Sequence, residues 1–220
     1  MQNKLDPRSL SRAARELFDH GPWLLRRMQH ARPYICPFHE LLPIVPSGAT
    51  VLDVGCGSGL FLGLLRYFGS NIRGFGFDAS RIAIDCAKAM AERHGNGSLR
   101  FEYVRKEDPW PTGLFDVVSL LDVLHHIPIE HQKKAFGAAA SSVRPGGLLL
   151  CKDMSESPWH LAAANRLHDL VVAREWIHYV PVSAVESWAA GLEMELEEAH
   201  AYRMLWYQHH LRVFRRRIMP

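Results

Sequence analysis

Three glycines at alternate positions, Gly55, Gly57 and Gly59, stand in the run Val51-Leu52-Asp53-Val54-Gly55-Cys56-Gly57-Ser58-Gly59. A continuous apolar strand runs straight into them and a helix opens after them. Glycine there lets the main chain turn sharply and lets a ligand approach with no Cβ in the way. A phosphate cradle exploits the same device, but the Lys-Ser/Thr ending of a nucleoside-triphosphate loop is missing, which disfavours that ligand. Two ligands remain: a dinucleotide, or a nucleoside that carries a sulfonium and an amino acid. A pyrophosphate prefers helix-end N–H groups with no acid opposite, whereas an ammonium beside a carboxylate wants donors and a nearby negative group. Asp53, two residues before the first glycine, supplies that group.

Further acids follow along the chain. Gly74-Phe75-Gly76-Phe77-Asp78-Ala79-Ser80 places a carboxylate at the tip of the next strand, where it can accept from both hydroxyls of a ribose. Glu107-Asp108 comes just past the third strand and can accept from an adenine amino group. A fourth strand, 115–121, ends at Leu121 and leads into Asp122, His125 and His126. All four tips are expected on one edge of a sheet, where open α/β sheets bind ligands.

The elements that must position these groups can be read from periodicity. Helices are expected over 60–68, 80–94, 129–143 and 183–190, and strands over 50–54, 72–77, 99–104, 115–121 and, after the turn Arg144-Pro145-Gly146-Gly147, 148–152. Strand–helix alternation implies right-handed crossovers and a parallel sheet covered on both faces. Residues 194–202 and 207–215 read as a closing hairpin, so the sheet should end antiparallel. Ahead of the first strand, Ser9 precedes the stripe Leu10, Ala13, Ala14, Leu17 and Phe18, and a second helix is expected over 23–30. A helix over 161–174, rich in Trp, His and Asn, interrupts the pattern.

Composition narrows the class. The 220 residues are 48% hydrophobic and 22% charged, enough for a substantial core in one domain. No apolar run is long enough to span a bilayer, and the start has no apolar signal region, so a cytoplasmic protein is the default expectation. Cys36, Cys56, Cys86 and Cys151 form no CxxC pair and are expected as buried thiols. A net charge of +3 does not by itself imply a polyanionic partner. Arginines concentrate between Arg8 and Arg32 and between Arg212 and Arg217, and both clusters are expected to be mostly solvated faces.

At VLDVGCGSG (51–59), GFGFDAS (74–80), FDVVSLLDVLHHIP (115–128) and RPGG (144–147) the chain resembles the class I S-adenosylmethionine-dependent methyltransferases, particularly the small-molecule branch. The resemblance implies an α/β fold: a Rossmann-like seven-stranded, mostly parallel sheet with an antiparallel last strand and helices on both faces. It implies S-adenosyl-L-methionine as cofactor, with Asp53 and the loop of Gly55, Cys56, Gly57 and Gly59 around the methionine portion, Asp78 at the ribose and Asp108 at the adenine; Ala79, Glu107 and Leu121 are also expected to bind the cofactor. One methyltransferase domain is expected over 1–220, with a helical cap (1–48), a cofactor-binding core (49–153), an inserted acceptor-side cap (154–181) and a C-terminal helix and hairpin (182–220).

Methyl transfer from a sulfonium needs alignment and exclusion of water more than a protein nucleophile. Oxygen or carbon acceptors can also need a base. Candidates follow strands four and five: Asp122, His125, His126, Lys152 and Asp153, with His160, Asn165, His168, Asp169 and His178 in the insert. His126 and His168 are singled out as catalytic. Trp159, Trp176, Tyr179, Trp23 and Tyr34 could wall an apolar acceptor pocket, although Trp23 reads better as core. The pairs His125-His126 and His209-His210 make no metal site on spacing alone, since neighbours on a strand face opposite sides. The expected reaction is methylation of a small organic acceptor, aromatic or polyketide/acyl-type, with no nucleic acid partner. A macromolecule methyltransferase and a non-catalytic cofactor-binding protein are the alternatives.

Overall fold

The computed structural model describes residues 5–154, 178–205 and 207–218. Seven strands form a mixed sheet in the order β3-β2-β1-β4-β5-β7-β6, with β1 Thr50–Val54, β2 Arg73–Asp78, β3 Leu99–Tyr103, β4 Phe115–Leu121, β5 Val143–Met154, β6 Met194–Met204 and β7 Tyr207–Arg216. The chain divides into two compact units, Met1–Trp110 and Pro111–Pro220.

In the first unit, β1, β2 and β3 are parallel and in register, with Val54 opposite Phe77 and Asp78 opposite Tyr103, so their carboxyl ends finish on one edge. Burial of Val51, Leu52 and Val54 along β1 fits a strand covered on both faces. Two crossover helices, α4 Leu60–Tyr67 and α5 Arg81–His94, join these strands. Ser80 caps α5 by accepting the Ala83 amide.

Three helices precede β1: α1 Pro7–Leu17, α2 Trp23–Ala31 and the short α3 Phe38–Leu41. The first starts earlier than its apolar stripe predicts. Asp6, not Ser9, is the cap: its carboxylate accepts the Arg8 and Ser9 amides, while the Ser9 hydroxyl accepts the Asp6 amide. Such a capping box satisfies N–H groups that the helix itself leaves open. At the other end, the Phe18 carbonyl accepts from the Arg26 guanidinium and meets the His30 ring at 3.2 Å. This arrangement turns the polar side of α2 inward. Trp23, expected as core, is 69% exposed.

In the second unit, β4 and β5 are parallel, β7 is antiparallel to β5, and β6 is antiparallel to β7, so the expected hairpin is present. Around them stand α6 Ile129–Ser141 and α7 Val182–Ala190. Phe136 of α6 meets the Phe214 ring edge-on at 6.0 Å and the Trp188 ring at 5.9 Å. The fifth strand begins five residues earlier than the glycines suggest. Val143 already pairs with Phe115, then Val117 pairs with Leu148, and the intervening Arg-Pro-Gly-Gly is accommodated as an irregularity of the strand. Arg144 closes that excursion by an ion pair with Asp116.

The arginines of β7 and its end are matched by acids: Arg212 with Glu186, Arg215 with Glu197 and Arg217 with Glu195. All four cysteines are free thiols, but only Cys36 and Cys151 are buried; Cys56 and Cys86 are half-buried. Among the described residues no helix is long and apolar enough to cross a membrane. The helix expected over 161–174, with His160, Asn165, His168, Asp169, Trp159 and Trp176, lies outside the described residues.

Candidate functional site

The glycine loop of the first unit is built by left-handed backbone, with φ of +64° at Gly55, +54° at Gly57 and +80° at Gly59. The last two glycines serve different ends. A Cβ on Gly59 would lie 2.6 Å from the Phe101 ring, so this glycine lets α4 settle against β3. A Cβ on Gly57 would meet nothing within 4 Å: that position faces open space. Beside it the Ser58 hydroxyl is buried with no hydrogen-bond partner among the described residues. A bare backbone bend and an orphaned hydroxyl at the N-terminus of α4 fit a polar ligand.

Asp78 is held in place by that loop. Its Oδ2 accepts the Gly57 amide at 2.8 Å and its Oδ1 accepts the Ser80 amide at 2.7 Å. An ionised carboxylate has about four acceptor positions, so one bond on each oxygen leaves capacity for two hydroxyls. Asp53 is buried at the end of β1. Burial, then the charges of Asp53 and Asp78, push the Cys56 thiol well up, so it stays protonated and is no nucleophile. Ala79 is exposed at the tip of β2.

Past β3, the expected adenine acceptor has another partner. Asp108 accepts from Arg105 through both carboxylate oxygens, at 3.0 and 2.9 Å, and the hydrogen bond from Arg105 holds its carboxyl below the usual range. Glu107 is exposed. Trp110, which the spacing did not single out, packs its ring 5.3 Å from that of Phe77, the residue before Asp78. A large ring at such a strand tip is the only signal that could have marked it.

The second unit carries a buried polar cluster at the ends of β4 and β5. Leu121 ends β4 in the core, and Asp122 follows with φ of +59°, its amide bonded to the Lys152 carbonyl. The Lys152 side chain is fully buried, and its ammonium donates to Asp122 Oδ1 at 2.6 Å. Asp153, also buried, receives Nδ1 of His125, the His125 amide at 3.3 Å and the Met154 amide at 2.7 Å. Burial pushes the Asp153 carboxyl up, but the His125 charge and hydrogen bond outweigh it, and the group is held below its ordinary value.

His125 and His126 do not lie on a strand. They sit in the 3-10 turn Leu124–His126, which brings their rings to 4.1 Å instead of sending them to opposite faces. Gln132 of α6 braces this turn by donating to the Leu124, Ile127 and His178 carbonyls. Between the two neighbours, the structure gives Asp153 to His125, while His126 is half-buried beside it.

On β7, His210 stands opposite Asp153 in register, and burial lowers its pKa. Ligand atoms of Asp122, His125 and Asp153 lie within 4.8 Å of one another, a spacing a metal ion could use. The Lys152 ammonium, however, already supplies positive charge at Asp122.

A sequence profile of the methyltransferase-domain family matches residues 24–199. The ubiquinone biosynthesis O-methyltransferase of Cereibacter sphaeroides is 30% identical over 138 residues, 61% of this chain and 51% of that protein. The enzyme of the same name from Xanthomonas oryzae pv. oryzae is 28% identical over 172 residues, 69% of this chain and 65% of that protein. The chain thus spans about half to two thirds of the length of these curated relatives. Magnesium protoporphyrin IX methyltransferase from Synechocystis, solved with bound S-adenosylmethionine, superposes with a TM-score of 0.67 over 98% of this chain and all of that one. At 15% identity this likeness shows the fold alone.

Proposed function

This chain belongs to the class I S-adenosylmethionine-dependent methyltransferases, and we propose that it methylates an oxygen of a small organic acceptor with S-adenosylmethionine, in the cytoplasm. The observation that carries the oxygen acceptor is the buried His125–Asp153 pair.

On the cofactor side, the open face of Gly57, the Ser58 hydroxyl and Asp53 receive the methionine portion, with Gly55, Cys56 and Gly59 shaping the bend. Asp78, already aimed by the Gly57 and Ser80 amides, accepts from the ribose hydroxyls. Ala79, Glu107, Asp108 and Leu121 are assigned to the adenosine end, and Trp110 joins them. The bound cofactor supplies a methyl group made electrophilic by its sulfonium.

On the acceptor side, Asp153 holds the Nδ1–H tautomer of His125, which places the ring's basic lone pair on Nε2. With an acceptor hydroxyl at His125 Nε2, the imidazole would take the proton that an oxygen nucleophile must lose, and Asp153 would stabilise the imidazolium. His126, its ring tilted against that of His125 at 4.1 Å, is assigned to the acceptor together with His168. An acceptor with an acidic hydroxyl, aromatic or acyl-type, suits such a base. The relatives, O-methyltransferases of ubiquinone biosynthesis, point the same way.

The test is incubation with methyl-labelled S-adenosylmethionine and a panel of phenols and carboxylic acids, read by mass spectrometry. Methyl ethers or esters are expected, and His125→Gln should lower kcat by about 10²–10⁴-fold while S-adenosylhomocysteine still binds. Label appearing only in RNA, or tight cofactor binding with no turnover on any acceptor, would overturn the reading.

A further inference from the structure

Helix α2 is inside out. Its buried residue is Gln29, while Trp23 (69% exposed), Leu24 (61%) and Met28 (40%) face solvent, and Tyr34 just beyond the helix is 39% exposed. At about 100° per residue, Trp23, Arg27, Ala31, Leu24 and Met28 fall within an arc of about 140°. Single exposed apolar residues need no explanation, but these four large side chains lie within one short stretch of chain. The inversion is fixed by packing, because Arg26 and His30 are spent on the Phe18 carbonyl and the His30 carbonyl accepts the Ser11 hydroxyl.

Arginines outnumber acids around this face. Residues 20–39 contain Arg26, Arg27 and Arg32 and no Asp or Glu. Helix α1, which packs against α2, adds the exposed Arg8, Arg12 and Arg15 against Glu16, whose carboxylate accepts from the Tyr67 hydroxyl, and Asp19 beyond it pairs with Arg93.

We propose that the α2 face docks on an anionic phospholipid bilayer, with Trp23, Leu24 and Met28 in the headgroup–acyl boundary and the arginines on lipid phosphates. Aromatic and aliphatic side chains on one face, flanked by an excess of cations, are what an interfacial helix requires. A nucleic acid would use the arginines and Trp23 but gain nothing from Leu24 and Met28. A twofold contact with a second copy would bring Arg27 against its own symmetry mate.

Vesicle flotation of the full chain tests this without reference to any methyl acceptor. Binding to phosphatidylcholine vesicles containing phosphatidylglycerol is expected, with far less to phosphatidylcholine alone and partial release by salt. The double variant Trp23→Ser/Leu24→Ser should weaken binding by roughly tenfold or more, and Arg27→Glu should weaken it on anionic vesicles only. Arg217→Ser should bind as the parent does, and an unchanged thermal midpoint identifies folded variants. Absence of flotation, or equal flotation of the folded double variant, overturns the proposal. So does a dimer or an RNA complex that needs Trp23 while vesicles are ignored.

Discussion

Asp78 Oδ2 accepts the Gly57 amide at 2.8 Å, tying the tip of β2 to the glycine loop that follows β1. The bond orients the carboxylate and ties it to the loop backbone, so the two segments proposed to grip the cofactor hold each other in place. Pre-set donors and acceptors lose less ordering entropy on binding.

Replacing Asp78 with Ala should therefore weaken S-adenosylhomocysteine binding by about 1–3 kcal/mol, through lost hydrogen bonds to a charged group. Isothermal titration calorimetry measures this. An affinity equal to the parent's would remove Asp78 from the ribose.

Gly57 and Gly59 should separate binding from stability. Gly59→Ala meets both left-handed strain and the Phe101 ring at 2.6 Å, and should cost about 2–4 kcal/mol of folding stability. Gly57→Ala faces open space and should cost only about 1–2 kcal/mol, with the larger effect on cofactor affinity. Denaturant melts paired with calorimetry would show the two orders reversed if the loop were not the binding element.

Asp153→Asn keeps the shape of the pair with His125 but removes the charge that stabilises an imidazolium. Turnover should fall by about 10²-fold or more, with cofactor affinity nearly unchanged. Rates equal to the parent's across the pH range would make the pair structural.

Acid should unfold the protein partly through β7. Burial lowers the pKa of His210, so between its folded value and the unfolded value of about 6.5 the unfolded chain binds the extra proton. The stability contributed by neutral His210 is thus complete above that unfolded value and is lost as pH falls through the window, with a slope of at most about 1.4 kcal/mol per pH unit. Asp153, lowered on balance by His125, adds a loss at more acid pH, below the unfolded carboxylate value. Melting temperatures of the parent and of His210→Leu should converge in slope above neutrality and diverge below it. Parallel curves would contradict this.

The linear order of residues determined the parts that depend on neighbours in the chain. Alternating apolar runs and helical stripes set the strand–helix order. The three glycines marked the bend between β1 and α4, and Asp78 fell at the end of β2, where the apolar run stops. Those features need only local geometry, so periodicity reveals them.

Pairings across long stretches of chain were decided by tertiary structure. His125 and His126 are equivalent in sequence, but the 3-10 turn after β4 points one of them at Asp153, 28 residues away. Asp108 reads as a ligand acceptor until the turn after β3 brings Arg105 onto both its oxygens. Trp23 reads as core until the Phe18 carbonyl claims the polar side of α2 and leaves its apolar side outward. In each case the outcome rests on which buried polar group must find a partner, and only the assembled backbone fixes which partners are within reach.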